Sequence, residues 1–354
     1  MGRRRRRRRH WLLPAALGVA AIISLFLYKL GTLSPSPSPP PRPVTPAAST
    51  ASLRLMSTFG PAFAGEMVAT RAGLFEREDL HIDLRAGRDA INPIASVVDG
   101  SDTFGVTRAD SFLLARGKGA RIVAFAAGFI ESPAVFYALK KSGVRAPWDF
   151  AGHRIGRRVG DDTSIVYDAL IEKLGLPRSR ITEVPVAGDL SMLLRGDVDV
   201  WPGHVGDEDY TLNRQGVDHL VIDPASYGVH LSGSVYFTSD RMITAQPQLV
   251  RRFLTGIIAG WDMVYQDYAI SVPMVASFDQ KRLTPDYVRF ALDRQREYLR
   301  PIAVRYGEFT EDQWRALQST LLTQRLLDRT VDLPEAVTYE FLHDAYRKPY
   351  TFGK

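Results

Sequence analysis

Cysteine is absent from all 354 residues. That excludes disulfides, thiolate metal sites, cysteine nucleophiles and a lipid anchor on an amino-terminal cysteine. Histidine is sparse, with seven residues scattered at positions 10, 81, 153, 204, 219, 230 and 343. No H-E-x-x-H, G-x-S-x-G, Walker loop or G-x-G-x-x-G occurs, so zinc hydrolases, serine hydrolases, P-loop NTPases and dinucleotide enzymes have no foothold. A broad excess of positive charge is missing too. The formal charge is +6, but Arg3 to Arg9 supply seven positives in one run, and outside it 38 basic residues face 39 acidic ones. The basicity is local, and nucleic acid is not an expected partner.

What is present begins with three unlike segments. Residues 1–10 are basic, residues 11–28 carry no charge, and Ser34 to Pro46 alternates serine with proline. Eighteen residues at about 1.5 Å rise span about 27 Å, close to the roughly 30 Å of a hydrocarbon core. The arginines place the first segment on the cytoplasmic side. The reading adopted is a basic cytoplasmic segment 1–10, an uncleaved membrane anchor 11–30 and an extended Pro/Ser-rich linker 31–52. A cleaved signal peptide is the alternative, and an apolar run this long with no small-x-small site before the prolines speaks against it.

From Leu53 onward, at ordinary globular composition (45% hydrophobic, 24% charged), short apolar runs alternate with helical stretches, which is the signature of βα units. LRLMSTF, HIDLRAG, TFGVTR and RIVAFAA read as strands, with helices over EMVATRAGLF, NPIASVV and the residues after Thr107. A second series follows: HRIGRRVG, ITEVPV, GDVDVWPG and HLVIDP as strands, TSIVYDALIEKL, LSMLLR and DYTLNRQ as helices. VYFTSDRMI reads as a return strand, and residues 241–347 as mainly helical. In QPQLVRRFLTGIIAGWDMVYQDY, Val250, Phe253, Leu254, Ile257, Trp261 and Val264 share one face. Thr310 and Gln313 form a capping box ahead of another helix.

The order of motifs resembles a known family. MVATRAGLFEREDLHIDLRAG, VVDGSDTFGVTRADSFLLARGKGARIVAFAA, SGVRAPWDFAGHRIG, LLRGDVDVWPG and QPQLVRRFLTGIIAGW are together similar to the periplasmic solute-binding proteins of ABC importers. The nearest branch is the NMT1-like one, with thiamine-pyrimidine-precursor binders and their sulfonate and taurine relatives. The resemblance implies a type II periplasmic-binding-protein fold: two α/β lobes joined by two crossing strands, with a ligand cleft between. Lobe one would be 53–130 plus 238–354 and lobe two 131–237, crossing near Glu131–Ala138 and Gly233–Phe237. It further implies a monomeric receptor in the bacterial periplasm that closes over a small-molecule solute and works with an ABC permease. The solute expected is a flat, amine-bearing heterocycle. No cofactor, metal or catalytic residue is expected. A sulfonate or taurine receptor, a membrane-anchored sensory module, and an enzyme of cofactor biosynthesis remain as alternatives. The enzyme alternative is weakened because the related yeast pyrimidine synthase relies on a cysteine-rich iron motif.

In such a fold the strand-to-helix turns face the cleft, and helix amino termini there offer free N–H groups. GDDTSIVYDAL puts Asp162, Thr163 and Ser164 at one such turn, as ligand contacts or simply as the cap of a helix, with Asp162 or Thr163 capping. Two adjacent aspartates favour a ligand with a cationic or amine group. In GVTRAD, Arg108 either grips an anion or pairs with Asp110. In TFGPAFAGE, Phe59 and Phe63 could stack on a flat ring, with Glu66 beside them. Ser132 and Tyr236 flank the crossings. The acidic stretch GDVDVWPGHVGDEDY holds one histidine, a poor set for a metal. Trp201 to Asp209 read as a loop opening on the cleft, with Trp201 and His204 as walls. The resemblance makes Glu208 the leading contact, because pyrimidine-binding relatives carry a glutamate eight positions before a helix-ending glycine, as Glu208 and Gly216 do here. Asp207 departs from the aromatic those relatives carry.

Overall fold

The structure is a computed structural model that describes residues 49–87 and 91–347. The expected basic segment and anchor lie outside the described residues, among which no helix is long and apolar enough to cross a membrane. Residues 49–52, assigned above to the linker, instead open the first strand.

The chain begins with β1 (Ser49–Arg54), α1 (Ala64–Arg71), β2 (Leu80–Arg85), α2 (Pro93–Val98), β3 (Phe104–Arg108), α3 (Ala109–Gly117) and β4 (Ile122–Ala127). A second series holds β5 (Ala134–Leu139), β6 (Arg154–Arg157), α4 (Asp162–Leu174), β7 (Thr182–Pro185), α5 (Ser191–Arg195), β8 (Val200–His204), α6 (Glu208–Arg214) and β9 (His219–Ile222). Then come β10 (Ser234–Ser239), α7 (Asp240–Ala245), α8 (Pro247–Gln266), α9 (Tyr268–Ala276), α10 (Pro285–Leu299), α11 (Glu311–Thr323), α12 (Leu333–Ala336) and α13 (Glu340–Arg347).

The strands form two five-stranded sheets, ordered β2-β1-β3-β10-β4 and β7-β6-β8-β5-β9. In each, one strand runs antiparallel to both neighbours: β10 between β3 and β4, and β5 between β8 and β9. Those two strands arrive from the other sheet. β4 and β5 are fully buried apolar runs, as expected of strands covered on both faces. The two connecting peptides, before Ala134 and before Ser234, hydrogen-bond to each other. Phe129 N donates to Ser234 Oγ (2.9 Å), and Ser132 N donates to Leu231 O (2.7 Å). The crossing peptides therefore precede the strands that the sequence marked as crossings.

Helical spacing dictates the cover of the first sheet. Val250, Phe253, Leu254, Ile257, Trp261 and Val264 are all buried along α8, and Phe253 stacks on Phe104 of β3 with centroids 4.0 Å apart. Gly65 and Gly260 let α1 and α8 touch backbone to backbone, since a Cβ on Gly260 would collide with the Gly65 carbonyl. A second cluster joins the two halves. Phe112 of α3, Phe136 of β5, Tyr167 of α4 and Trp314 of α11 share one apolar core. α11 starts with the expected capping box, Gln313 N donating to Thr310 Oγ1 and Thr310 N to Gln313 Oε1.

Candidate ligand-binding site

The strand-to-helix turns of both sheets open onto one cavity of about 710 Å³. The first half contributes Thr58, Phe59 and Phe63 between β1 and α1, and Thr107 and Arg108 at the end of β3. The second half contributes Asp161 and Asp162 at the start of α4, His204 at the end of β8, and Asp207. Gly160, at φ +83°, supplies the left-handed turn that brings the chain from β6 into α4. Asp161 then caps the helix, accepting from Thr163 N at 2.9 Å. The cap is thus one residue earlier than the sequence reading, and Asp162 is released to the cavity.

Charge in the cavity is paired in a lopsided way. His204 Nε2 lies 3.0 and 3.3 Å from the two Asp162 oxygens. Burial alone would lower the imidazole pKa, but the charge and hydrogen bond of Asp162 raise it to about 10. Burial likewise opposes the Asp162 charge, yet His204 holds that carboxyl well below its ordinary range. The site therefore carries an imidazolium–carboxylate pair at neutral pH. Burial pushes Asp161 up, helped by its neighbour Asp162, and burial also pushes Asp207 up.

The cavity's two arginines bind the protein itself. Arg108 forks onto Asp110 (3.0 and 3.2 Å) and donates to Gly160 O (3.3 Å). Arg282 donates to Asp279, Thr58 Oγ1 and Phe59 O at 2.6, 3.1 and 3.0 Å. Of the helix amino termini around the cavity, two are capped by side chains, Asn92 accepting from Ile94 N for α2 and Asp161 from Thr163 N for α4, whereas α1, α3 and α6 begin at Phe63, Arg108 and Asp207 without a side-chain cap. An incoming anion would find both arginines already held by carboxylates. Asp161, Asp162 and His204 place three ligand atoms within 4.8 Å of one another, the spacing of a metal site. A cation there would have to displace the proton that Asp162 holds on His204, since only neutral imidazole ligates.

Helix α10 forms a side wall that ties the halves together. Tyr287 OH donates to Asp207 (2.7 Å), Arg294 Nε to Asp209 (2.9 Å), Gln295 Nε2 to Val205 O (3.2 Å) and Tyr298 OH to Asp223 (2.7 Å). Behind Tyr287 and Asp207 lies a second cavity of about 410 Å³.

A family model described as NMT1/THI5 like matches residues 60–268. The chain belongs to the NMT1/THI5-like family. A curated relative, the 4-amino-5-hydroxymethyl-2-methylpyrimidine phosphate synthase of Legionella pneumophila, is 22% identical over 80% of this chain and 89% of its own length. The periplasmic aliphatic sulphonate binding protein SsuA of Escherichia coli superposes with a TM-score of 0.68 at 16% identity, covering 82% of this chain and 92% of that one. The desulfurization enzyme DSZB superposes with a TM-score of 0.62 at 16% identity, covering 84% and 99%. The fold is the two-lobed type II periplasmic-binding-protein fold.

In this NMT1/THI5-like chain the expected site residues fall into three groups. Phe59, Phe63, Arg108, Asp162 and His204 line the main cavity, while Trp201 and Glu208 line the second one. Trp201 is not in a loop: β8 runs from Val200 to His204 and buries it completely. Asp110, Ser132, Thr163 and Ser164 support the site from behind. Asp110 orients Arg108, Ser132 Oγ accepts from Ala134 N at the crossing, Ser164 Oγ donates to Arg158 O (2.6 Å), and Thr163 is buried in α4. Glu66 and Tyr236 lie away from both cavities. Tyr236 OH donates to Glu66 Oε1 (2.7 Å) and meets Tyr306 OH (2.8 Å) inside the core, where burial lifts the Glu66 pKa to about 7. An acid expected at the first turn points inward because α1 presents that position to α8 and β10. Arg158, Arg282, Tyr210 and Tyr287 are site residues that sequence reasoning missed. Arg282 and Tyr287 reach the cleft from a segment with only helical periodicity to read.

Proposed function

We propose that this protein is an extracytoplasmic solute-binding receptor of an ABC importer, held at the membrane by residues 11–30, that takes a small, flat, amine-bearing solute between its lobes. One observation carries the choice of solute. Cations in the main cavity are bound to internal partners, His204 by both oxygens of Asp162, whereas Asp161 and Asp207 each use one carboxylate oxygen, in accepting from Thr163 N and Tyr287 OH. A sulfonate is best held by a free guanidinium, and Arg108 and Arg282 are already engaged by Asp110 and Asp279. An amine or amidine edge meets the free oxygens and relieves the repulsion between Asp161 and Asp162. Closure on such a ligand works by preferential affinity for the closed arrangement and involves no covalent step.

Calorimetric titration of the purified full chain with aminopyrimidines, aliphatic sulfonates and amino acids tests the proposal. Amine-bearing heterocycles are expected to bind, and at a hundred times Kd to stabilise the fold by about 2.7 kcal/mol. Tighter binding of sulfonates than of amines would overturn the solute class. A second reading, a pyrimidine synthase, is favoured by the Legionella relative's activity; formation of a phosphorylated pyrimidine by the pure protein would establish it in place of the receptor.

A further inference from the structure

Trp148 is 59% exposed, whereas Trp201, Trp261 and Trp314 are at 1% or less. A large ring is costly to leave in water, and tryptophan is enriched where a partner covers it or where lipid meets water. This one is held in place. It sits on a short helical turn, Pro147–Phe150, and meets Tyr227 edge to face with centroids 5.4 Å apart. Asp149, the acid of that turn, is engaged within it, accepting from Arg145 N and Ala146 N at 2.8 and 3.0 Å.

The surroundings of the ring are basic. Lys141 and Arg145 precede it in KKSGVRAPW, Lys173 lies beside Gly228, next to Tyr227, and Arg180 O accepts from Gly152 N at 2.7 Å. All four side chains are exposed, and none has an ion pair among the described residues. Nearby acids are mostly taken. Asp218 pairs with Lys140 at 3.5 Å, and Asp168 and Glu183 pair with Arg178 at 2.9 and 2.7 Å, so Glu172, next to Lys173, is an unpaired acid against four unpaired cations. The patch also lies away from the ligand cavity. β5 runs antiparallel to β8 and ends at Leu139, so the loop that follows sits at the end of the second sheet opposite His204.

We infer that this end of the second half is a docking surface for an anionic phospholipid bilayer, with Trp148 entering the interface and Lys141, Arg145, Lys173 and Arg180 lying over the headgroups. A ring with an apolar body and an N–H tip suits that boundary, and the cations around it select negatively charged lipid. Residues 31–48, at about 3.1 Å per residue when extended, reach about 55 Å, enough to turn any face of a domain this size towards lipid. In the docked pose the cavity end of the second half is turned away from the bilayer, towards the solution from which solute is captured. The inference is independent of the solute and draws on the proposed receptor only for its anchor.

The test uses the full chain, labelled with 5-fluorotryptophan, in vesicles of phosphatidylcholine and in vesicles of an equal mixture with phosphatidylglycerol, both carrying a trace of lipid with a nitroxide at the headgroup. The Trp148 ¹⁹F line is identified by its loss in Trp148→Phe, a change at an exposed position. It is expected to broaden in the anionic vesicles, to stay sharp in the neutral ones, and to sharpen again at high salt. Lys141→Gln and Arg145→Gln are each expected to lower the docked-to-free ratio about fivefold. A line that stays sharp on anionic lipid, that broadens equally on neutral lipid, or that ignores both substitutions overturns the docking surface. So does a line that moves with protein density in neutral vesicles, which would make the patch a contact between copies of the chain. Retention on neutral vesicles reports the anchor separately. Should the chain leave them, the anchor fails and the anionic vesicles still test the patch.

Discussion

Asp162 and His204 show how burial and pairing compete at one pair of side chains. Removing both from water is unfavourable, yet a direct ion pair overrides that penalty and keeps both charged. The pH dependence follows from the signs. His204 is raised from its usual 6.5 to about 10, so its contribution to stability is complete below about pH 6.5 and is lost as pH rises through about 10. Asp162 is depressed, so its contribution is complete above its usual 3.8 and is lost as pH falls through the depressed value. The thermal stability difference between wild type and Asp162→Asn is therefore expected to be largest between about pH 4 and 6.5 and to shrink towards pH 10. Amine binding is expected to weaken by tenfold or more in the same variant, by calorimetry. Sequence alone placed Asp162 and His204 at cleft-facing turns, because glycine and cap signals mark such turns. It could not show that the two touch, since 42 residues and two strands separate them.

At the scale of elements, α10 is the piece whose role pattern could not disclose. Helical periodicity predicts its existence and its buried Val288 and Leu292 face, but the polar face carries Tyr287, Arg294 and Tyr298, which any solvated helix could carry. Their partners, Asp207, Asp209 and Asp223, sit in the other half. Asp209 is almost fully buried and also accepts from Gly206 N at 2.9 Å and Tyr137 OH at 3.4 Å. Arg294 is half exposed, so its loss costs less than breaking a buried pair. Arg294→Ala is expected to destabilise the protein by about 1–2 kcal/mol in urea unfolding. In small-angle scattering the same variant is expected to show a larger radius of gyration without ligand, because one of the four side-chain bonds that α10 makes to the second half is gone. An unchanged radius would show that α10 does not hold the closed arrangement. Strands were more legible than ties. β4 and β5 announce themselves as unbroken apolar runs, whereas β8 is shorter than its sequence signal because Asp197 and Asp199 are drawn to Arg195 and Arg154 at its start.

For the molecule as a whole, the decisive observation is that the second apolar cluster belongs to neither half alone. Trp314 packs on Phe112 of the first half, and Gln324 Nε2, just past α11, donates to Ile165 O of the second at 3.0 Å. Trp314→Ala, which empties a fully buried site, is expected to cost about 3–5 kcal/mol. One calorimetric transition is expected before and after the change, because both halves draw on the same cluster. Two separated transitions in the variant would mean that the halves are independent. The two-sheet plan was readable from βα rhythm and from the order of motifs. The shared core was not, because periodicity says which face of α11 is apolar and not which neighbours cover it.

The exchange of one strand between the sheets also sets an order of events along the chain. β3 and β4 are separated by β10 in the finished first sheet, so a chain emerging from its amino terminus holds an unfilled slot between them until residue 239 has appeared. The first sheet is begun at Ser49 and cannot be completed until the whole of the second series has been made.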